Sequence, residues 1–205
     1  MREVIVPILH SEELALLAGD LKPVDLGAGH NEARDLVVRK GKADGREHAV
    51  AVFMDGRSVE FGGSHSDRLK VPEFENASGI VVVHHNHPLG DSLSRQDLLL
   101  LLTRADISRI DAHGHRGGWF SAERSGKART LLEARAAVDD AFAQIRTAIV
   151  KAVKQGEVDE ARTRAGLWQV AMALLMTKQG QIQYSANTDS VLDMAKRVLR
   201  WRIDR

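Results

Sequence analysis

Residues 84–97 read His84-His85-Asn86-His87-Pro88-Leu89-Gly90-Asp91-Ser92-Leu93-Ser94-Arg95-Gln96-Asp97 and follow the apolar run Ile80-Val81-Val82-Val83. In an extended strand, residues two apart point to the same side, so His85 and His87 can face one point while His84 faces the other way. Two imidazoles so placed suit a divalent cation bound at about 2.0–2.1 Å. Pro88 and Gly90 then turn the chain, and Ser94 opens a helix that can return Asp97 as an anionic third ligand. Three protein ligands leave a position open for water, the mark of a catalytic rather than a structural site. Ser94-Arg95-Gln96-Asp97 is equally a plain helix-capping sequence, and a His-x-His pair can simply be a surface pair.

The elements that must position these groups are readable from the surrounding pattern. His48 to Met54, Asp55-Gly56 and Ser58 to Phe61 have the run-turn-run form of a hairpin. Ile80 to His85 is a third strand, buried on both faces by its composition, and Ser94 to Arg104 is a helix. Ile107 to His115 and Trp119 to Ala122 form a strand pair turning at Gly117-Gly118. Before them, Val4 to Leu9 predicts a strand and Ser11 to Leu17 a short capped helix. Residues 27–30 look like a loop, and residues 31–38 fit helix or strand. The pattern is α+β.

Beyond about residue 125 the composition shifts to Ala, Leu, Arg, Glu and Lys. Leu131, Ala134, Val138, Phe142, Ile145 and Ile149 recur at the spacing of one apolar helix face, which Gly156 ends. Residues 157–178, with a stripe of Leu167, Val170, Ala171, Leu174 and Leu175, and residues 188–201 predict two more helices. We therefore expect a domain over 1–124 with its motif core at 45–122, and a helical extension or bundle over 125–205 that packs on it, oligomerises or binds a partner.

Composition narrows the chemistry. The 205-residue chain has no cysteine, which excludes thiolate metal sites, disulfides and a cysteine nucleophile, so any metal must be held by His, Asp or Glu. Lys+Arg 29 against Asp+Glu 28 gives a net charge of +1 and no global attraction for nucleic acid or an anionic membrane. No stretch reaches the roughly 18 apolar residues that span a bilayer, and the first residues lack the form of a signal peptide. A soluble, cytoplasmic protein is expected.

The string His85-Asn86-His87-Pro88-Leu89-Gly90-Asp91 followed by Ser94-Arg95-Gln96-Asp97 resembles the JAMM (JAB/MPN+) metallopeptidase motif, especially its form in bacterial RadC proteins. The resemblance implies a JAB/MPN-like (cytidine-deaminase-like) mixed sheet with an inserted helix and a zinc-dependent peptidase or isopeptidase. It makes His85, His87 and Asp97 the Zn2+ ligands and Ser94 a hydrogen-bonding partner of water or oxyanion. Arg46-Glu47-His48 resembles the Glu-His start of the RadC first core strand, which assigns the general base to Glu47, with Glu60 on the hairpin's second strand as the alternative. The substrates implied are proteins or peptides, ubiquitin-like tails among them. The spacer Pro88 to Leu93 is one residue shorter than the family pattern, and Glu47 lies 38 positions before His85, with residues 64–78 where the family has a helix. A non-catalytic JAB-like scaffold or a RadC-like DNA-associated protein are the alternatives.

Asp111-Ala112-His113-Gly114-His115 carries a second same-side histidine pair. It could supply a second metal, line the substrate groove or form a strand edge. Groove or edge is favoured because no third ligand has an obvious place nearby. Trp119 and Phe120 could stack on substrate, although core packing suits adjacent aromatics. Arg197, Arg200, Arg202 and Arg205 make a basic C-terminal end diluted by Asp193 and Asp204, and Gly62-Gly63 fits no phosphate loop.

Overall fold

The computed structural model describes residues 21, 24–64, 69–74, 81–88, 90–158 and 166–203. The strand and helix expected within residues 4–17 lie outside the described residues. Helix α1 (Ala28–Asp44) leads into strands β1 (His48–Phe53), β2 (Ser58–Gly62) and β3 (Val81–His87), then α2 (Arg95–Thr103), β4 (Ile107–Gly114) and β5 (Trp119–Arg124). Helices α3 (Leu131–Lys154) and α4 (Trp168–Lys178), strand β6 (Ile182–Ala186) and helix α5 (Asp189–Ile203) follow among the described residues. The six strands form one mixed sheet in the order β2-β1-β3-β4-β5-β6. Among the described strands only β3 and β4 are parallel, because α2 carries the chain back across the sheet between them.

Local chemistry explains the elements. The β1–β2 hairpin turns at Asp55-Gly56, where Gly56 takes φ +85 and the Asp55 carboxylate accepts the Arg57 N–H at 3.0 Å. Residues 28–44 are helical, so helix replaces the loop expected at 27–30 from Ala28 onward and is the form taken by residues 31–38; it ends at Gly45 in the left-handed conformation, its N–H bonded to Gly41 O. Thr130 and Glu133 close a capping box on α3, and Lys151 and Lys154 sit in its last turn.

The sheet is covered on both faces. Alternate residues Ala49, Ala51, Phe53, Val81, Val83, Ile110, Ala112, Phe120 and Ala122 pack with α2, α3, α4 and α5 into the main core. On the opposite face Val50 and Val52 meet Ala33 and Val37 of α1. Gly41 lets α1 approach β3 closely, since a Cβ there would fall 2.1 Å from Asn86 Nδ2. The C-terminal helices are interleaved with the sheet: β6, which the periodicity left unassigned, pairs with β5. Helix α4 buries Val170, Ala171, Met172, Ala173, Leu175 and Met176 around most of its circumference, rather than the single stripe expected, because α3, α5 and β6 all contact it.

Ile145 is fully buried at the centre of α3. Ile145→Ala should lower the unfolding free energy by about 2–5 kcal/mol in urea denaturation; a loss under about 0.5 kcal/mol would show that this helix does not share the core.

Candidate metal centre

Strand β3 ends at the sheet's rim, and its pleat sends His85 and His87 to the main-core face, where Val81 and Val83 also point. The chain then turns with Gly90 at φ +73 and its N–H bonded to His87 O at 2.9 Å. Ser92 and Leu93 are buried, and Ser94 caps α2 through a reciprocal box: its Oγ accepts the Asp97 N–H at 3.1 Å while Asp97 Oδ2 accepts the Ser94 N–H at 2.7 Å. The box holds Asp97 beside the two imidazoles. His85 Nε2 and His87 Nε2 lie 2.8 Å apart, His85 Nε2 is 3.5 Å from Asp97 Oδ1, and His87 Nε2 is 3.6 Å from Asp97 Oδ2. Donors around one tetrahedral ion at about 2.0–2.1 Å sit about 3.3–3.4 Å apart, so these three could hold a metal ion. The shortened spacer does not prevent the three from meeting.

A surrounding layer orients the ligands. His87 Nδ1 donates to the Asp91 carbonyl at 3.0 Å with the Asp91 carboxylate 3.3 Å away, which turns Nε2 toward His85 and Asp97. The Ser92 and Tyr184 hydroxyls are 2.7 Å apart, tying the ligand loop to β6. Burial alone would push the His87 pKa down; the hydrogen bond to Asp91 and the charge of Asp97 outweigh it and hold it up to about 10. Asp97 is lowered well below the usual carboxylate range, where the charge and hydrogen bond of His85 and the charge of His87 overcome its desolvation.

Glu47 precedes β1 on the side of Ala49, whose cross-strand partner is His85. Burial pushes its carboxyl pKa up, against the charges of His87 and His85, with Asp97 and Asp91 raising it further. A carboxyl so poised beside two imidazoles can take and return a proton. Its backbone is held by a residue that sequence reasoning passed over. Asn86 points to the α1 face, accepts the His48 N–H at 2.8 Å and donates to Arg46 O at 3.0 Å, bracketing Glu47. The only sequence signal was its place between two same-side histidines.

Several expected roles need correction. Glu60 pairs across β1 with Val50 and faces α1, where it forms an ion pair with Lys40, so it does not adjoin the histidines. His113 and Trp119 are cross-strand partners on the α1 face, opposite His85 and His87, and His113 is buried. His115 lies in the turn after β4 and contacts Asn86 Nδ2 at 3.1 Å. These three do not line one groove with His85 and His87, because the pleat puts them on the other side. The missing third ligand for His113 is also supplied: His84 and Asp111 stand beside it, and this buried set could hold a metal ion as well. Burial first, then the neighbouring imidazoles, pushes His84 well below its ordinary pKa, and burial lowers His113 to about 3. Asp111 is raised by burial, against Arg109 and Ser121.

No family model matches the sequence, and searches of curated proteins and of solved structures give no match. Among the described residues no helix is long and apolar enough to cross a membrane.

Two outcomes follow from this geometry. Asn86→Ala leaves the part-buried His48 N–H and Arg46 carbonyl without their side-chain partner and should lower stability by about 1–3 kcal/mol while abolishing hydrogen-exchange protection of the His48 amide; a protected amide in the variant would contradict the bracketing role. Folding raises the His87 pKa above the ordinary 6.5 to about 10. The metal-free protein therefore has this stabilisation in full below about pH 6.5 and loses it as the pH rises toward about 10. Urea midpoints measured across that range should fall in the wild type more steeply than in His87→Gln, and parallel curves would refute it.

Proposed function

We propose that the chain is a zinc-dependent peptidase or isopeptidase of the JAMM type, with a JAB/MPN-like sheet, in which His85, His87 and Asp97 hold the ion. The convergence of these three side chains at the end of β3, with the Glu47 carboxyl in electrostatic contact with them, carries the reading. The donor set of two imidazoles and one carboxylate suits zinc and leaves a coordination position over. A zinc ion held there supplies Lewis-acid polarisation of the scissile carbonyl and makes water acidic enough to ionise near neutral pH.

The chain's own residues do the rest. Glu47 accepts the proton of the attacking water and returns it to the leaving amine, a task its raised pKa suits. Ser94, at the start of α2, donates to the developing oxyanion while its oxygen keeps Asp97 in place. Asp91 fixes the His87 ring. The substrate is an extended peptide or a ubiquitin-like tail, and the near-zero net charge speaks for a protein rather than a nucleic-acid partner. An assembly scaffold is less well supported, since helix capping accounts for Asp97 but not for the two imidazoles buried beside it.

Purified protein should carry zinc that His85→Ala or His87→Ala removes from this site, with hydrolysis of ubiquitin-like fusions and fluorogenic peptides lost together with it. Glu47→Gln should keep the zinc and slow hydrolysis by about 10²–10⁴-fold. Unchanged hydrolysis in Glu47→Gln would remove Glu47 from the reaction, and unchanged metal content in both histidine variants would remove the site.

A further inference from the structure

The α1 face of the sheet carries a polar cluster that the proposed hydrolysis does not use. Parallel pairing sets His84 on β3 beside Asp111 on β4, and β4's pleat puts His113 on the same face. His84 Nδ1 lies 3.0 Å from His113 Nε2 and 3.5 Å from Asp111 Oδ2. The three residues are at most 1% exposed. We propose that His84 Nδ1, His113 Nε2 and Asp111 Oδ2 form a second divalent-metal site that takes an ion of the zinc class and holds β3, β4 and α1 together.

The partners of each group support ligation. Asp111 Oδ1 accepts from the Ser121 hydroxyl at 2.6 Å and lies 3.2 Å from the Arg109 guanidinium, whereas Oδ2 is buried, has no hydrogen-bond partner among the described residues and is the oxygen nearest His84. A buried carboxylate oxygen without a hydrogen-bond partner calls for a cation or a donor, and the His84 imidazole lies 3.5 Å from it. His84 Nε2 lies 2.8 Å from His30 Nδ1 on α1, the arrangement in which a ligating imidazole donates its other ring N–H outward and fixes its tautomer. Imidazole nitrogen with one carboxylate is a donor set of zinc rather than of magnesium or calcium. Burial of all three ligands makes the ion a stabilising one, exchanged slowly and out of substrate's reach, so this site stands or falls separately from the one at His85.

The test uses the whole 205-residue chain, stripped with chelator, reloaded with Zn2+ and assayed for bound metal after desalting. The double variant His85→Ala/His87→Ala should keep about one ion per chain with a higher melting temperature than its stripped form, and adding Asp111→Asn should remove that ion. Loading with Co2+ should give the double variant visible absorption bands that the Asp111→Asn addition abolishes. A folded double variant that binds no ion overturns the second site, even if the Asp111→Asn chain fails to fold. A wild type that binds one ion, kept by the double variant, upholds this site while refuting the zinc site at His85 and His87. Circular dichroism of each variant establishes that it is folded.

Discussion

The pleat of β3 is the constraint on which the molecule's chemistry depends. Successive side chains of a strand leave on opposite faces, so four consecutive polar residues cannot form one cluster. His85 and His87 go to the face covered by α2, while His84 and Asn86 go to the face covered by α1. One strand thereby supplies two polar sites separated by the thickness of a sheet. Its neighbours complete them: α2 brings Asp97 to one, and β4 brings Asp111 and His113 to the other.

The helix cap at the start of α2 also places one of the three side chains that could hold a metal ion. Ser94 and Asp97 satisfy each other's backbone N–H groups, which stabilises the helix end and fixes the carboxylate where it faces the histidines. With one residue fewer in the spacer, the loop has little slack. It is held by Asp91 against the His87 ring and by the Ser92–Tyr184 contact to β6. The C-terminal elements therefore support the site from behind, and α4 lies buried between them and the sheet.

Burying this much polarity inside a sheet is unfavourable unless each group finds a partner. On the α2 face the carboxylates of Asp91 and Asp97 surround the imidazoles, which explains why His87 favours its charged form despite its burial. On the α1 face three imidazoles and one carboxylate share a drier space, and burial favours the neutral forms. The contrast comes from the number of acids within reach, since the histidines themselves are adjacent in sequence.

Much of this was legible in the residues. The hairpin at Asp55-Gly56, the strand ending in the histidines, the Ser94 cap and the α3 face, apart from the exposed Leu131, follow from local periodicity and turn chemistry, which act over a few residues. The sides taken by His84 and His85 follow from the same rule. Tertiary packing alone decided that Glu60 faces α1, that Asn86 brackets Glu47, that β6 joins the sheet and that Asp111 and His84 meet His113. These depend on register and strand order, which bring together residues 20 to 92 positions apart through pairings that no local pattern encodes. The sequence by itself determined which side chains β3 offers to each face; the tertiary structure decided what stands opposite them, because partners are set by which strands and helices pack alongside.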